Sequence, residues 1–209
     1  RLAREHPGEL DLLALGPLTN LAQALRLDPE LFTRYRSVVL MGGSGPYPPP
    51  GTHLTVDANV NNDPAAARAV FSAPRRELVM VGVNVTSVTL LTEPAIAALR
   101  AADTPKARFA CEILDSYLNF YQYHWGRRII PLHDPLAAGI LLDPSFATGH
   151  VLGPVNVVAH GPQSRAHLMR TADGLPPAFR YEDAPPTKVI TAVDSARFVA
   201  DFVEVLTRP

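Results

Sequence analysis

Along this chain, short continuous apolar runs alternate with stretches in which apolar residues recur every three to four positions. Gly, Pro or Asp marks nearly every change of period. Residues 11–15, 37–41 and 77–83 are runs of strand length, and the first two end at Gly16-Pro17 and Gly42-Gly43. Runs of this kind predict strands buried on both faces. Leu18, Leu21, Ala22 and Leu25 share one face of a helix predicted over 18–27. Asp63 as N-cap, with Pro64 at the first helical position, opens a helix through Phe71. A long helical region over 93–125 is interrupted near Asp103-Thr104-Pro105, and His133-Asp134-Pro135 introduces a helix through Leu142. Residues 155–159, 164–171 and 187–193 read as later strands. An amphipathic helix over 194–206 closes the chain, with Phe198, Val199, Phe202 and Val205 on one face. The segment 44–52 holds four of the 21 prolines and reads as a loop. Strands alternating with helices predict an α/β fold, an open, mostly parallel sheet flanked by helices. Ligands bind such sheets beyond the carboxyl ends of the strands, so the chemistry is expected just after Leu15, Met41 and Val83.

Composition narrows the partners. With 209 residues, 47% hydrophobic and 19% charged, the chain can form one domain with a sizeable core. Nineteen Lys and Arg against 20 Asp and Glu leave a net charge of -1. No basic excess exists to neutralise phosphates, which argues against nucleic acid and anionic membrane as partners. No apolar run is long enough to span a bilayer. The single cysteine, Cys111, fits a reducing compartment, so a cytoplasmic location is expected. Position 1 is Arg, and the charged opening Arg1-Leu2-Ala3-Arg4-Glu5-His6 has the features of neither a signal peptide nor a domain start. The expectation is a chain whose N-terminal segment is missing.

Polar residues collect where the strands end. Leu15-Gly16-Pro17-Leu18-Thr19-Asn20 suits a tight turn before a helix, and Met41-Gly42-Gly43 suits a close backbone approach. Between Asp57 and Asp63, five of seven residues are Asp or Asn. Turn and cap chemistry would explain Asp63, which leaves Asp57 and Asn59 as candidates for a ligand. Four Asp-Pro pairs start at 28, 63, 134 and 143, so an N-cap role for Asp134 stands beside a functional one. His133 is the histidine next to a carboxylate at a predicted helix start.

Taken in order, Leu-Gly-Pro-Leu-Thr-Asn, Met-Gly-Gly, an Asn four residues before Asp63-Pro64, Val81-Gly82-Val83-Asn84-Val85-Thr86 and His133-Asp134-Pro135-Leu136-Ala137 resemble the nucleoside hydrolase family over nearly the whole chain. The resemblance implies hydrolysis of the N-glycosidic bond of ribonucleosides, a Ca2+ cofactor bound by oxygen ligands, and a homo-oligomer. It also makes the chain the C-terminal two-thirds of a single domain, residues 1–209. Asp134 matches a calcium-binding aspartate, and Thr19 a residue whose backbone carbonyl is a further ligand. His133 matches the histidine that protonates or orients the leaving base. Asn59 matches an asparagine on the ribose hydroxyls, and Asp57 stands where the family usually has Glu. Ala58 stands where the family usually has Phe, and Tyr121 where it often places an aromatic or amide group near the base. These types suit a reaction that leaves positive charge on the ribose and negative charge on the base.

The resemblance also fails in places. The family's first strand ends in an aspartate cluster that supplies most calcium ligands and the general base, and no such cluster occurs here. One carboxylate and one carbonyl cannot satisfy an ion that takes six to eight oxygens. The stretch between Gly43 and Asp57 departs from the family's usual Gly-Asn-Val-Thr-Pro. A non-catalytic nucleoside- or sugar-binding domain with a degraded site is therefore the competing reading. A dinucleotide binder is disfavoured, because no Gly-x-Gly-x-x-Gly follows a strand.

Overall fold

Alternate residues of the apolar runs face opposite ways, and each way there is a helix layer to receive them. Val39, Met41, Val79 and Val81 pack on one side of the sheet with Leu118, Leu136 and Phe198. Val38, Leu40, Leu78 and Met80 pack on the other with Phe32, Val70 and Phe71. A strand buried on both faces has no position for a polar residue, which is why these segments read as unbroken runs. Each large side chain withdrawn from water in this way contributes about 1.5–3 kcal/mol.

The structure, a computed structural model, describes residues 1–45, 57–160, 163–168 and 184–209. In chain order the elements begin with α1 (Leu2–Glu5), β1 (Asp11–Ala14), α2 (Thr19–Leu27), β2 (Ser37–Met41), α3 (Ala58–Asn62) and α4 (Pro64–Ser72). Next come β3 (Leu78–Val81), α5 (Val83–Thr86), β4 (Leu90–Leu91), α6 (Glu93–Ala101), α7 (Pro105–Trp125) and β5 (Ile130–Pro131). The chain continues through α8 (His133–Leu142), β6 (Ala147–Gly153), β7 (Val155–His160), β8 (Gln163–Leu168), β9 (Thr187–Val193) and α9 (Ser195–Thr207). The main sheet has the order β1-β2-β3-β9-β6. Its first four strands are parallel, and β6 lies antiparallel against β9. β7 and β8 form a separate hairpin, and β4 pairs with β5.

The α/β reading is correct, and so are the break between α6 and α7 and the Asp63 cap, whose side chain accepts from the Ala66 amide at 3.0 Å. Three local expectations change. β3 stops at Val81, two residues early, because the Val83 amide donates to the Gly43 carbonyl at 2.9 Å and the chain turns into α5. β6 carries no apolar run: Thr148, His150 and Leu152 point to solvent, and the strand is held by its partner β9. Asp134 is not an N-cap, since α8 starts at His133 with Leu132 in the cap position. Most of the loop expected at 44–52, and residues 169–171 of the strand expected at 164–171, lie outside the described residues. Among the described residues no helix is long and apolar enough to cross a membrane.

Gly139 lets α8 and α9 touch. A Cβ there would lie 2.4 Å from Cε2 of Phe198, a buried core residue. Gly139→Ala should therefore lower stability by about 1–3 kcal/mol through overpacking. Phe198→Leu in the same chain should recover part of that loss in the urea midpoint; a neutral Gly139→Ala would mean the helices can separate freely.

Candidate active site

The cleft lies where the sheet argument places it, at the carboxyl ends of β1, β2 and β3. It encloses about 410 Å³. Leu15 follows β1, Met41 ends β2, and Asp57 and Asn59 come from the start of α3. His133 and Asp134 enter from the first turn of α8, beneath Tyr121 and Trp125 at the end of α7.

Asp57 is buried, and it caps α3, a helix the sequence pattern does not reveal. Its Oδ2 accepts from the Val60 amide at 2.7 Å and its Oδ1 from the Asn59 amide at 3.3 Å. Thus the argument that only Asp63 is needed as a cap is corrected: Asp57 lines the cleft and is a cap as well. Burial pushes its carboxyl above the usual carboxylate range, and the Gly43, Val60 and Asn59 amides pull it back. Asn59 donates from Nδ2 to the Met41 carbonyl at 3.1 Å, which fixes its amide against the end of β2.

Asp134 sits in the opening turn of α8 with its carboxyl raised by burial first and by the charge of Asp57 second. Two carboxylates facing one cleft repel each other, and a cation between them would relieve the repulsion. A complete calcium site is a different matter. Calcium takes six to eight oxygens, and among the described residues no group of three or more His, Cys, Asp or Glu is placed to hold a metal. These residues do not fit a whole calcium site.

His133 is held from both edges. Its Nδ1 is 2.6 Å from Thr86 Oγ1, and its Nε2 is 3.5 Å from Tyr121 Oη. Burial depresses its pKa to about 4, so the ring is neutral near pH 7. Tyr121 is itself buried and meets Trp125 edge-on, with ring centroids 4.9 Å apart. Phe120 meets it edge-on at 5.2 Å. Phe120 and Trp125 are part-exposed, so this end of the cleft offers aromatic surface to a flat ligand.

The sequence model for inosine-uridine preferring nucleoside hydrolases matches residues 1–200. The chain belongs to that family. It is 37% identical over 142 residues to the inosine-uridine preferring nucleoside hydrolase of Crithidia fasciculata, covering 68% of this chain and 44% of that protein. It is 32% identical over 195 residues to a probable uridine nucleosidase of Arabidopsis thaliana, covering 92% and 59%. Among solved structures, a plant nucleoside hydrolase superposes with a TM-score of 0.88 at 27% identity, over all of this chain and 65% of that one. A purine-preferring ribonucleoside hydrolase from Gardnerella vaginalis gives 0.82 at 27% identity, over 98% and 62%. The chain spans about half the length of the curated relatives it matches.

Five of the six residues singled out in the sequence meet in the cleft of this family member: Asp57, Asn59, Tyr121, His133 and Asp134. Thr19 does not. It starts α2, and its hydroxyl donates to Asp63 Oδ2 at 2.6 Å, away from the cleft. Leu15, four residues earlier in the same motif, is the residue that lines the cleft. The difference is one helical turn: the chain leaves the cleft through Gly16-Pro17 before α2 begins. Sequence reasoning also missed Thr86, Phe120 and Trp125. Thr86 ends a quoted motif, and Trp125 stands one turn beyond Tyr121 on the same face of α7.

Proposed function

We propose that the protein hydrolyses the N-glycosidic bond of ribonucleosides, releasing ribose and free base. The observation that carries this reading is the convergence of Asp57, Asn59, His133 and Asp134, from two separate segments, on one cleft. Asn59 has its amide nitrogen on Met41, which leaves its carbonyl oxygen to accept from a ribose hydroxyl. Asp57 accepts from the ribose as well, through lone pairs that its backbone partners do not use. His133 and Tyr121 serve the base, which lies against Phe120 and Trp125. Departure of the base leaves cationic character on the ribose, and the charge of Asp57 and Asp134 suits that centre.

Calcium dependence follows from the resemblance alone. Asp134 would give one oxygen ligand, and a backbone carbonyl at the end of β1 would come from Leu15 rather than Thr19. Among the described residues there are no further ligands for the ion.

The test is release of free base from inosine and uridine, with and without a chelator. In a chain extended to the full length of its relatives, base release that a chelator abolishes and calcium restores is the expected result. Nucleoside binding without release would favour the competing reading of a degraded binding domain, and neither binding nor release would overturn both. The 209-residue chain titrated calorimetrically should show no submillimolar calcium affinity, because two carboxylates are too few for a hard cation. Tight binding would mean that ligands exist outside those identified.

A further inference from the structure

The motif Val81-Gly82-Val83-Asn84-Val85-Thr86 has no part in the reading above, yet its last residue touches the histidine. Thr86 is completely buried in α5, with Oγ1 2.6 Å from His133 Nδ1. The other ring nitrogen, Nε2, is on the side of Tyr121, a lining residue of the cleft.

A buried hydroxyl has one proton to place. Among the described residues the Thr86 hydroxyl has no acceptor except Nδ1. If Nδ1 carried the ring hydrogen, Thr86 could only accept it, and its own O–H would be buried without a partner. An unpaired buried donor costs enough to make that arrangement the minor one by about tenfold or more. When Thr86 donates to Nδ1 instead, the neutral ring carries its hydrogen on Nε2.

We propose that Thr86 is a positioning residue that fixes His133 as its Nε2–H tautomer, so that the cleft meets a neutral N–H donor. This deepens the glycosidase reading and rests on it for its consequence. The leaving base would then be held through an acceptor atom, a ring nitrogen or a carbonyl oxygen, and would not be protonated by His133. Complete transfer from Nε2 would leave an imidazolate, and the hydroxyl at Nδ1 is too weak an acid to supply the second proton. The developing negative charge is thus met by a preorganised hydrogen bond. Bases that present an acceptor toward His133 are the class such a site would take.

The tautomer can be read directly. Long-range proton–nitrogen correlation spectra of the ¹⁵N-histidine-labelled chain, near pH 7 and without substrate, distinguish the two neutral forms. The His133 signals are identified by their loss in His133→Gln. The wild-type chain should show the Nε2–H pattern, and Thr86→Ser should keep it. Thr86→Val, close in shape but without the hydroxyl, should show a mixture or the Nδ1–H form. An Nδ1–H pattern in the wild-type chain would overturn the proposal without any need for the variants, and so would an unchanged pattern in a folded Thr86→Val. No turnover is required, so failure of base release would overturn the proposed activity and leave this result to stand or fall separately.

Discussion

Replacing His133 with alanine should lower kcat for release of an ordinary base by about 10²–10³-fold, the range found when one preorganised hydrogen-bond donor is removed. The same change should have a much smaller effect on a riboside whose leaving group is already stable as an anion, such as nitrophenolate. His133 lies beside Tyr121, which packs against Phe120 and Trp125, whereas Asp57 lies at the start of α3. Its help is therefore aimed at the base, and a leaving group that needs no help gains little from it. The substitution also leaves the buried Thr86 hydroxyl without its partner, which costs about 1–3 kcal/mol of stability. Assays under conditions where the variant is folded separate the two effects. Equal losses on both substrates would show that His133 acts through structure alone.

Gly45→Ala should destabilise the fold by about 2–5 kcal/mol, combining a left-handed backbone for an L-residue with overpacking. Gly45 has φ +68°, and a Cβ built on it would lie 2.2 Å from Cγ of Asn84. Asn84 cannot retreat easily, because it is buried and donates from Nδ2 to the Ile190 carbonyl at 3.0 Å. On the far side of the same turn, the Gly43 amide hydrogen-bonds Asp57. The turn between Gly42 and Gly45 is thus held between Asn84 and Asp57. Asn84→Ala in the same chain should relieve the steric part, and a double-mutant cycle in urea should return a coupling of about 1 kcal/mol or more. Strict additivity would show that the turn moves away from Asn84 at little cost.

What the sequence made legible depended on how each feature is held together. Strands buried on both faces, such as Ser37–Met41 and Leu78–Val81, show themselves as apolar runs because each position is constrained by a packed neighbour. β6 was hidden because its stability comes from pairing with β9, and its own side chains alternate between partial burial and solvent. Short helices were hidden for a similar reason: α3 and α5 are too short for a 3.6-residue period to appear. The missed helix α3 also conceals that Asp57 is a cap. In the cleft, an Asp and Asn cluster larger than turns and caps require pointed to Asp57 and Asn59, and a histidine beside a carboxylate at a helix start pointed to His133. Thr19 is not among the lining residues because a motif fixes an order of residues but not which of them reaches the cleft. The turn at Gly16-Pro17 decides that, and it leaves Leu15 in the cleft and Thr19 beside Asp63. Thr86 was within reach of sequence reasoning, since it closes a motif already set apart, but nothing in the spacing between 86 and 133 signals that the two side chains meet.

Asn84 and Thr86 stand two places apart on the one turn of α5. One is packed against the glycine turn whose Gly43 amide bonds Asp57, and the other is bonded to His133. The supports of Asp57 and of His133 therefore hang on a common fulcrum. A substitution that shifts Thr86 should also move Asn84, and with it the glycine turn whose Gly43 amide bonds Asp57. Under the proposed activity, base preference and sugar preference would be a coupled trait in this chain, and engineering one of them would mean re-tuning the other.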